Sequence, residues 1–414
     1  MGKTLNFEQN SGKFQSAHGL RSRKIRIISP NGLSDAGGVE RVMLYAYRAL
    51  SEHGFRVDII DQKALSGSNI GRFFSFFKTG PLDFLAQSFG LSILANREHR
   101  SGSFIINNGY SAFFAKSDIL FCHRCIRGAR LAQYRVRSEQ QPSSLSERRA
   151  QIDGHKTSRI TRLIGSLKIF LYGPDEIAEM IAGHRSHIIL AVSEHSQREW
   201  QRYYRLSSSK FKNLPNSVDT EHFQPDLESH KQQSSRQSRI ALRILFIGSL
   251  TYLKGLDRLG ATIEKARQTA KNWEFIIATP SSFNTEKFAS KQNVTIRKGV
   301  SFAELPDLYR SCDVMYFPSI YEGFEMVTLE ALSSGLPVVG TDVGAISVLY
   351  KAGFPGVYRI DPDDFDQISD TFEIAASRWK DPAEKQLLHN LVDANYGIST
   401  WSQKLIEILE AYHD

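Results

Sequence analysis

Cysteine is nearly absent: three in 414 residues. That is too few for a disulfide framework and agrees with a reducing compartment. Long apolar runs are missing too, and none approaches the ~20 residues that span a bilayer. The first 23 residues are polar and lack the apolar centre of a secretory signal. They read as a disordered extension, so the protein is expected in the cytoplasm. Cys122-His123-Arg124-Cys125 is a lone C-x-x-C with no second pair, and Cys312 is far off. Neither structural zinc, which takes four ligands, nor redox chemistry finds its set. No Asp-x-Asp pattern is convincing as a metal site either.

Acidic residues are the minority, 44 against 52 Lys and Arg, giving a net charge of +8. The excess is local: Arg124 to Lys168 holds eleven basic residues and three acidic ones. Such a field attracts anionic membrane surfaces, acidic substrates or nucleic acid. With no recognised reading motif, charge alone argues weakly for nucleic acid. Gly71 to Leu85 interleaves five Phe with Arg72 and Lys78, which fits either a membrane interface or a core helix.

The length suggests two domains. Lys24–Ser29 and Phe55–Ile60 read as strands around a Gly37-Gly38 turn and an apolar-periodic helix over 42–50. Glycines there either make a tight turn or admit a ligand close to the backbone. Ile119–Phe121 reads as a buried strand, placing His123 at its carboxyl end, where parallel sheets bind ligands. A Ser/Gln-rich charged segment, 226–240, separates a second run of strands and helices. Both halves alternate strand and helix, so the fold class is α/β, two Rossmann-like, doubly wound parallel-sheet domains. The domains are expected at 24–225 and 241–390, with residues 391–414 a closing helix.

In the second half, Glu322 and Glu330 stand eight positions apart across a strand–turn–helix junction. The helix start offers free N–H groups and a positive end, and the flanking carboxylates can grip hydroxyls. That combination suits a polyhydroxylated, phosphorylated ligand. Gly37-Gly38-Val39-Glu40, His123, Pro215-Asn216-Ser217-Val218-Asp219, Gly248 with Lys254-Gly255, Pro318-Ser319, Glu322-x7-Glu330, Gly335-x-Pro337 and Asp342-x-Gly344 follow in one order. Together they resemble the retaining glycosyltransferases of family 4, which have the two-domain GT-B fold. The resemblance covers residues 24 to about 414.

The resemblance implies a site. His123 and Glu322 would be catalytic, with Glu322 on the donor-sugar hydroxyls. Gly37, Gly38, Ser249, Lys254, Phe324, Glu325, Met326, Val327 and Glu330 would bind the donor, Lys254 at the diphosphate and Glu330 at the ribose. The closing helix would cross back to the N-terminal domain. A UDP-, GDP- or ADP-sugar would be the co-substrate, with no metal and no other cofactor. The acceptor would be a glycan or lipid-linked species of cell-surface polysaccharide or glycolipid synthesis, reached from the cytoplasmic face of the membrane. Lys and a helix start stabilise the charge growing on the leaving diphosphate, and a carboxylate fixes the sugar. Two departures stand out. Ser249 occupies a position where relatives often carry Arg, leaving Arg124 as a candidate replacement. Glu325 replaces a common glycine and places a carboxylate near the sugar, where it could alter donor choice. A member of the fold that binds nucleotide sugar without turnover is the alternative reading.

Overall fold

The structure is a computed structural model that describes residues 22–35, 37–74, 82–139, 172–226 and 241–413. Residues 1–21 of the expected N-terminal extension, the middle of the Phe-rich segment (75–81), the excursion beyond residue 139, the amphipathic stretch over 160–171 and nearly all of the linker lie outside them.

Six parallel strands form the first sheet: β1 (Lys24–Ile28), β2 (Arg56–Ile60), β3 (Phe104–Asn108), β4 (Ser117–Cys122), β5 (Ser186–Ala191) and β6 (Phe211–Asn213). Its order is β2-β1-β3-β4-β5-β6. The central strands β3 and β4 are buried along their whole length, as expected of a parallel sheet covered on both faces. The helices in sequence are α1 (Gly38–Glu52), α2 (Gln62–Ser66), α3 (Asn69–Phe74), α4 (Leu82–Arg100), α5 (Ile126–Glu139), α6 (Pro174–Arg185) and α7 (Glu194–Tyr204).

The second sheet holds β7 (Leu242–Ile247), β8 (Trp273–Thr279), β9 (Val294–Lys298), β10 (Val314–Phe317), β11 (Val338–Gly340) and β12 (Val357–Arg359). Its order, β12-β11-β10-β7-β8-β9, is the doubly wound pattern, reversing between β7 and β10. In the first sheet the order reverses between β1 and β3. Around the second sheet lie α8 (Leu256–Gln268), α9 (Glu286–Ala289), α10 (Leu305–Arg310), α11 (Met326–Ser333), α12 (Gly344–Lys351), α13 (Phe365–Arg378), α14 (Pro382–Tyr396) and α15 (Ile398–His413).

Both passages between the domains run together: Val218 N–H donates to Tyr396 O (3.0 Å), and Val218 bridges to Gly397. The last helix, α15, then lies on α1 of the first domain. Its Trp401, Leu405, Ile406 and Leu409 share one buried cluster with Val42, Met43 and Ala46. Met326 of the second domain joins the same cluster. The two carboxyl edges of the sheets face each other across a cleft. Among the described residues, no helix is long and apolar enough to cross a membrane.

The 19-residue helix α4 is an element that sequence reading does not isolate. Its apolar and polar residues lack clean helical periodicity, so the pattern that marks amphipathic helices is weak.

Candidate active site

A cleft of about 690 Å³ opens between the domains, within the range of about 300–1,000 Å³ common for small-molecule sites. Loops at both chain-order switch points line it.

On the C-terminal side, β7 ends at Gly248 and turns through Tyr252–Lys254 into Gly255. Gly255 has φ +77, and a Cβ there would fall 2.2 Å from Pro318 O. Only glycine lets this turn nest beneath the exit of the neighbouring strand β10. Ile320 N–H donates to Leu253 O (2.8 Å), pinning the two loops together. Lys254 Nζ then lies 2.8 Å from Glu322 Oε1, to which Ser319 Oγ also donates at 3.0 Å. The pair is partly open to solvent and faces the cleft.

Glu325 ends the loop as the N-cap of α11, and Phe324, Glu325, Met326 and Val327 all border the cleft. The first-turn N–H groups of such a helix have no intrahelical acceptors. The Glu325 carboxylate points elsewhere, however. It accepts from Thr328 Oγ1 (2.7 Å) and from Ala345 N–H at the start of α12 (2.9 Å). A Cβ on Gly344 (φ +57) would lie 2.0 Å from Glu325 Oε2 and 2.5 Å from Glu322 Cβ. The glycine leaves room for both acids. Burial, followed by the nearby Glu322 charge, pushes the Glu325 carboxyl up to about 7. The Glu325 carboxylate is thus engaged at the N-terminal end of α12, while the residue itself still borders the cleft.

Glu330, one turn into α11, is 1% exposed. Arg41 Nη1, from α1 of the other domain, is 2.6 Å from Oε1. Tyr309 OH donates to Oε2 at 2.8 Å. The Arg41 guanidinium also stacks over Phe302, 4.7 Å from its centroid.

On the N-terminal side, β4 delivers His123 into the cleft. Its Nε2 meets Asn108 Oδ1 at 2.8 Å. An amide oxygen only accepts, so Nε2 carries the proton and Nδ1 the lone pair. Nδ1 is buried and has no partner. Burial drives the imidazole down to about 4, so it is neutral at pH 7. Arg124 beside it is exposed, borders the cleft and has no ion-pair partner among the described residues.

The domains touch at this level. A Cβ on Gly323 would stand 1.9 Å from His123 O, so this close approach requires glycine. Tyr321 OH donates to Glu199 Oε2 (2.5 Å) and accepts from Cys125 N–H (3.1 Å). Asn216 Nδ2 donates to Phe324 O (2.6 Å).

Gly38 borders the cleft, and Gly37 caps α1 behind it. Ser249 is half-buried and does not line the cleft, so it stands apart from the other expected donor residues. Sequence reading assigns no role to Arg41, Tyr309 or Tyr321. Arg41 carries a usable signal: a cation one turn before Tyr45 on the buried face of α1. Cys122 and Cys125 are buried free thiols, and among the described residues no group of His, Cys, Asp or Glu is arranged to hold a metal.

Residues 241–375 match the family model for glycosyl transferases group 1. Among curated proteins, the chain is 31% identical over 223 residues to a D-inositol 3-phosphate glycosyltransferase of Paenarthrobacter aurescens, covering 51% of this chain and 53% of that protein. The first three curated relatives are matched over 65%, 47% and 55% of their lengths, so the chain spans about half to two thirds of them. Among solved structures, sucrose-phosphate synthase from Thermosynechococcus elongatus superposes with a TM-score of 0.64 at 16% identity, covering 94% of this chain and 98% of that one. The Anabaena protein HepE, solved with UDP and glucose, gives 0.61 at 15% identity, covering 94% and 100%. The chain thus has the GT-B fold, and its C-terminal domain is related in sequence to the glycosyl transferases of group 1.

Proposed function

We propose that this protein is a retaining glycosyltransferase that moves a sugar from a nucleotide diphosphate sugar to a glycan or lipid-linked acceptor in cell-surface polysaccharide or glycolipid synthesis. The observation that carries this reading is the Lys254–Glu322 pair at the β7/β10 switch point, beside the start of α11. Lys254 is held by a carboxylate that a donor would re-engage. A diphosphate takes the ammonium, and the freed Glu322 accepts sugar hydroxyls. Charge growing on the leaving diphosphate is met by Lys254, the N–H groups of α11 and Arg124 at the cleft. HepE, with UDP and glucose bound, supports a UDP-sugar as the first donor to try.

His123 contributes a neutral imidazole to the cleft wall. Its partner Asn108 fixes the ring. Retention follows from front-face attack, with the leaving phosphate taking the acceptor proton; Glu322 then acts as an orienting group. No metal is required, because protein cations supply the charge. The enzyme would work in the cytoplasm, with the basic 124–168 stretch drawing it to anionic membrane.

The test is a panel of UDP-, GDP- and ADP-sugars, read by calorimetric binding and by slow donor hydrolysis, with NMR of the released anomer. Binding with hydrolysis and a retained anomer supports the reading. Binding without turnover under any acceptor supports the non-enzymatic alternative. An inverted product removes the retaining assignment.

A further inference from the structure

Glu322 has a neighbour on each side that reaches the other domain. Gly323, after it, leaves no room for a side chain beside His123 O. Tyr321, before it, is 6% exposed. The Tyr321 hydroxyl lies 3.1 Å from Cys125 N, 3.0 Å from Cys125 O and 2.5 Å from Glu199 Oε2. A phenol carries one proton and also accepts. It therefore takes the Cys125 N–H and gives its own proton to the carboxylate, a charge-assisted bond.

The first domain is shaped to receive this hydroxyl. A Cβ on Gly128 of α5 would lie 2.2 Å from both Glu199 oxygens. Alanine forms helix better than glycine, so the glycine serves the carboxylate rather than the helix. Glu199 Oε1 lies 3.5 Å from His195 Nε2, one turn earlier on α7. Trp200, the next residue, donates from Nε1 to Arg124 O at 3.0 Å. Helix α7 thus grips two things at once: the chain just after His123, and Tyr321 of the second domain.

We infer that Tyr321 and Glu199 are positioning residues for sugar transfer, clamping the loop that carries Glu322 against the segment that carries His123. The inference rests on the glycosyltransferase reading and adds to it two residues that do not line the cleft. They act through their neighbours. The packing of α15 and the Arg41–Glu330 pair join the domains elsewhere, so loss of Tyr321 leaves them joined. What changes is how Glu322 and His123 face one another across the cleft. A misplacement of about 1 Å among reacting groups costs about 10²-fold in rate.

The experiment compares Tyr321→Phe, Glu199→Ala and Gly128→Ala with the full unaltered chain. Without ligand, amide hydrogen exchange over 123–126 and 319–324, one stretch in each domain, should quicken at least ten-fold in all three. Gly128→Ala guards against misfolding, because it displaces only the flexible end of Glu199 and favours the helix. The panel of UDP-, GDP- and ADP-sugars then separates rate from affinity. Hydrolysis at saturation should fall about ten- to a hundred-fold. UDP affinity and stoichiometry should hold, because Lys254 and α11 belong to the second domain alone. Glu199→Gln keeps an oxygen for the Tyr321 proton and should recover most of the rate. Unchanged exchange or an unchanged rate in Tyr321→Phe overturns the inference. So does a loss that falls equally on UDP affinity, or one that Glu199→Gln fails to recover, because a general weakening of the fold would do both. Absence of nucleotide binding and hydrolysis in the unaltered chain overturns the glycosyltransferase reading and the role in transfer with it, and the exchange data then report the clamp alone.

Discussion

Glu322 and Glu330 belong to one eight-residue spacing, yet the structure treats them oppositely. Glu322 sits at the cleft wall, with a lysine from its own domain and a serine as partners. Its side chain is 12% exposed and that of Lys254 27%. Glu330 is sealed at 1%, with Arg41 from the other domain at 8%. An accessible pair exchanges partners cheaply, because water replaces what is lost. A sealed pair does not, because its desolvation has already been incurred. The first acid is therefore suited to changing partners when ligand arrives, and the second to tying the domains together.

The largest expected effect strikes the sealed member. Glu330→Ala strands the buried Arg41 guanidinium and should cost about 3–5 kcal/mol of stability, seen as an early transition in denaturant unfolding. A loss under 1 kcal/mol would erase the contrast between the two acids. Next comes the open pair. Glu322→Gln and Lys254→Ala should each cost less than about 1 kcal/mol in the same assay. Each should lower the transfer rate by about 10²–10³-fold, as removal of a charge-stabilising group does. A normal rate in either variant would dismiss this pair as the donor grip. Below Glu330→Ala but above the open pair in its effect on unfolding stability is Tyr309→Phe, which removes a hydrogen bond to a charged acceptor while Arg41 stays. About 1.5–3 kcal/mol is expected, and equality with Glu330→Ala would show that Tyr309, not the cross-domain arginine, holds the acid.

Much of this was legible in the chain. Buried parallel strands are written as apolar runs such as Val314–Phe317, and their exits are marked by Gly248, Pro318 and the Glu322 loop. Hence the two sheets and the place of His123 at the end of β4 could be read directly. What could not be read is where side chains turn after the backbone is set. Glu325 looks like a sugar-facing acid until the N-terminal end of α12, twenty residues on, is seen to claim it. Arg41 lies 289 residues from Glu330, and no local periodicity encodes such a pair. Helix α4 escaped because its polar face borders the cleft, where Gln87 and Ser88 interrupt the apolar stripe.

Glu325 also supplies the subtlest test of how the two acids differ, since its charge bears on Glu322 alone. Its folded carboxyl titrates at about 7, above the ordinary 4.5. The folded chain thus keeps a proton that the unfolded chain releases between those values. Stability from this group is full below pH 4.5, falls as pH rises through 7, and is flat above. Glu179, at about 8, and Glu199, at about 7, slope the same way. His123, depressed to about 4 by burial, slopes the opposite way, losing stability as pH falls below 6.5. Glu325→Gln keeps an oxygen for Ala345 N–H and removes one titrating group from this set. Thermal unfolding from pH 5 to 8 should therefore show a shallower decline in the variant than in the unaltered chain, with the curves drawing together or crossing by pH 8. Parallel curves would mean that Glu325 is ionised throughout. Two adjacent negative charges would then flank Gly344, and Glu322 would need Lys254 for stability as firmly as Glu330 needs Arg41.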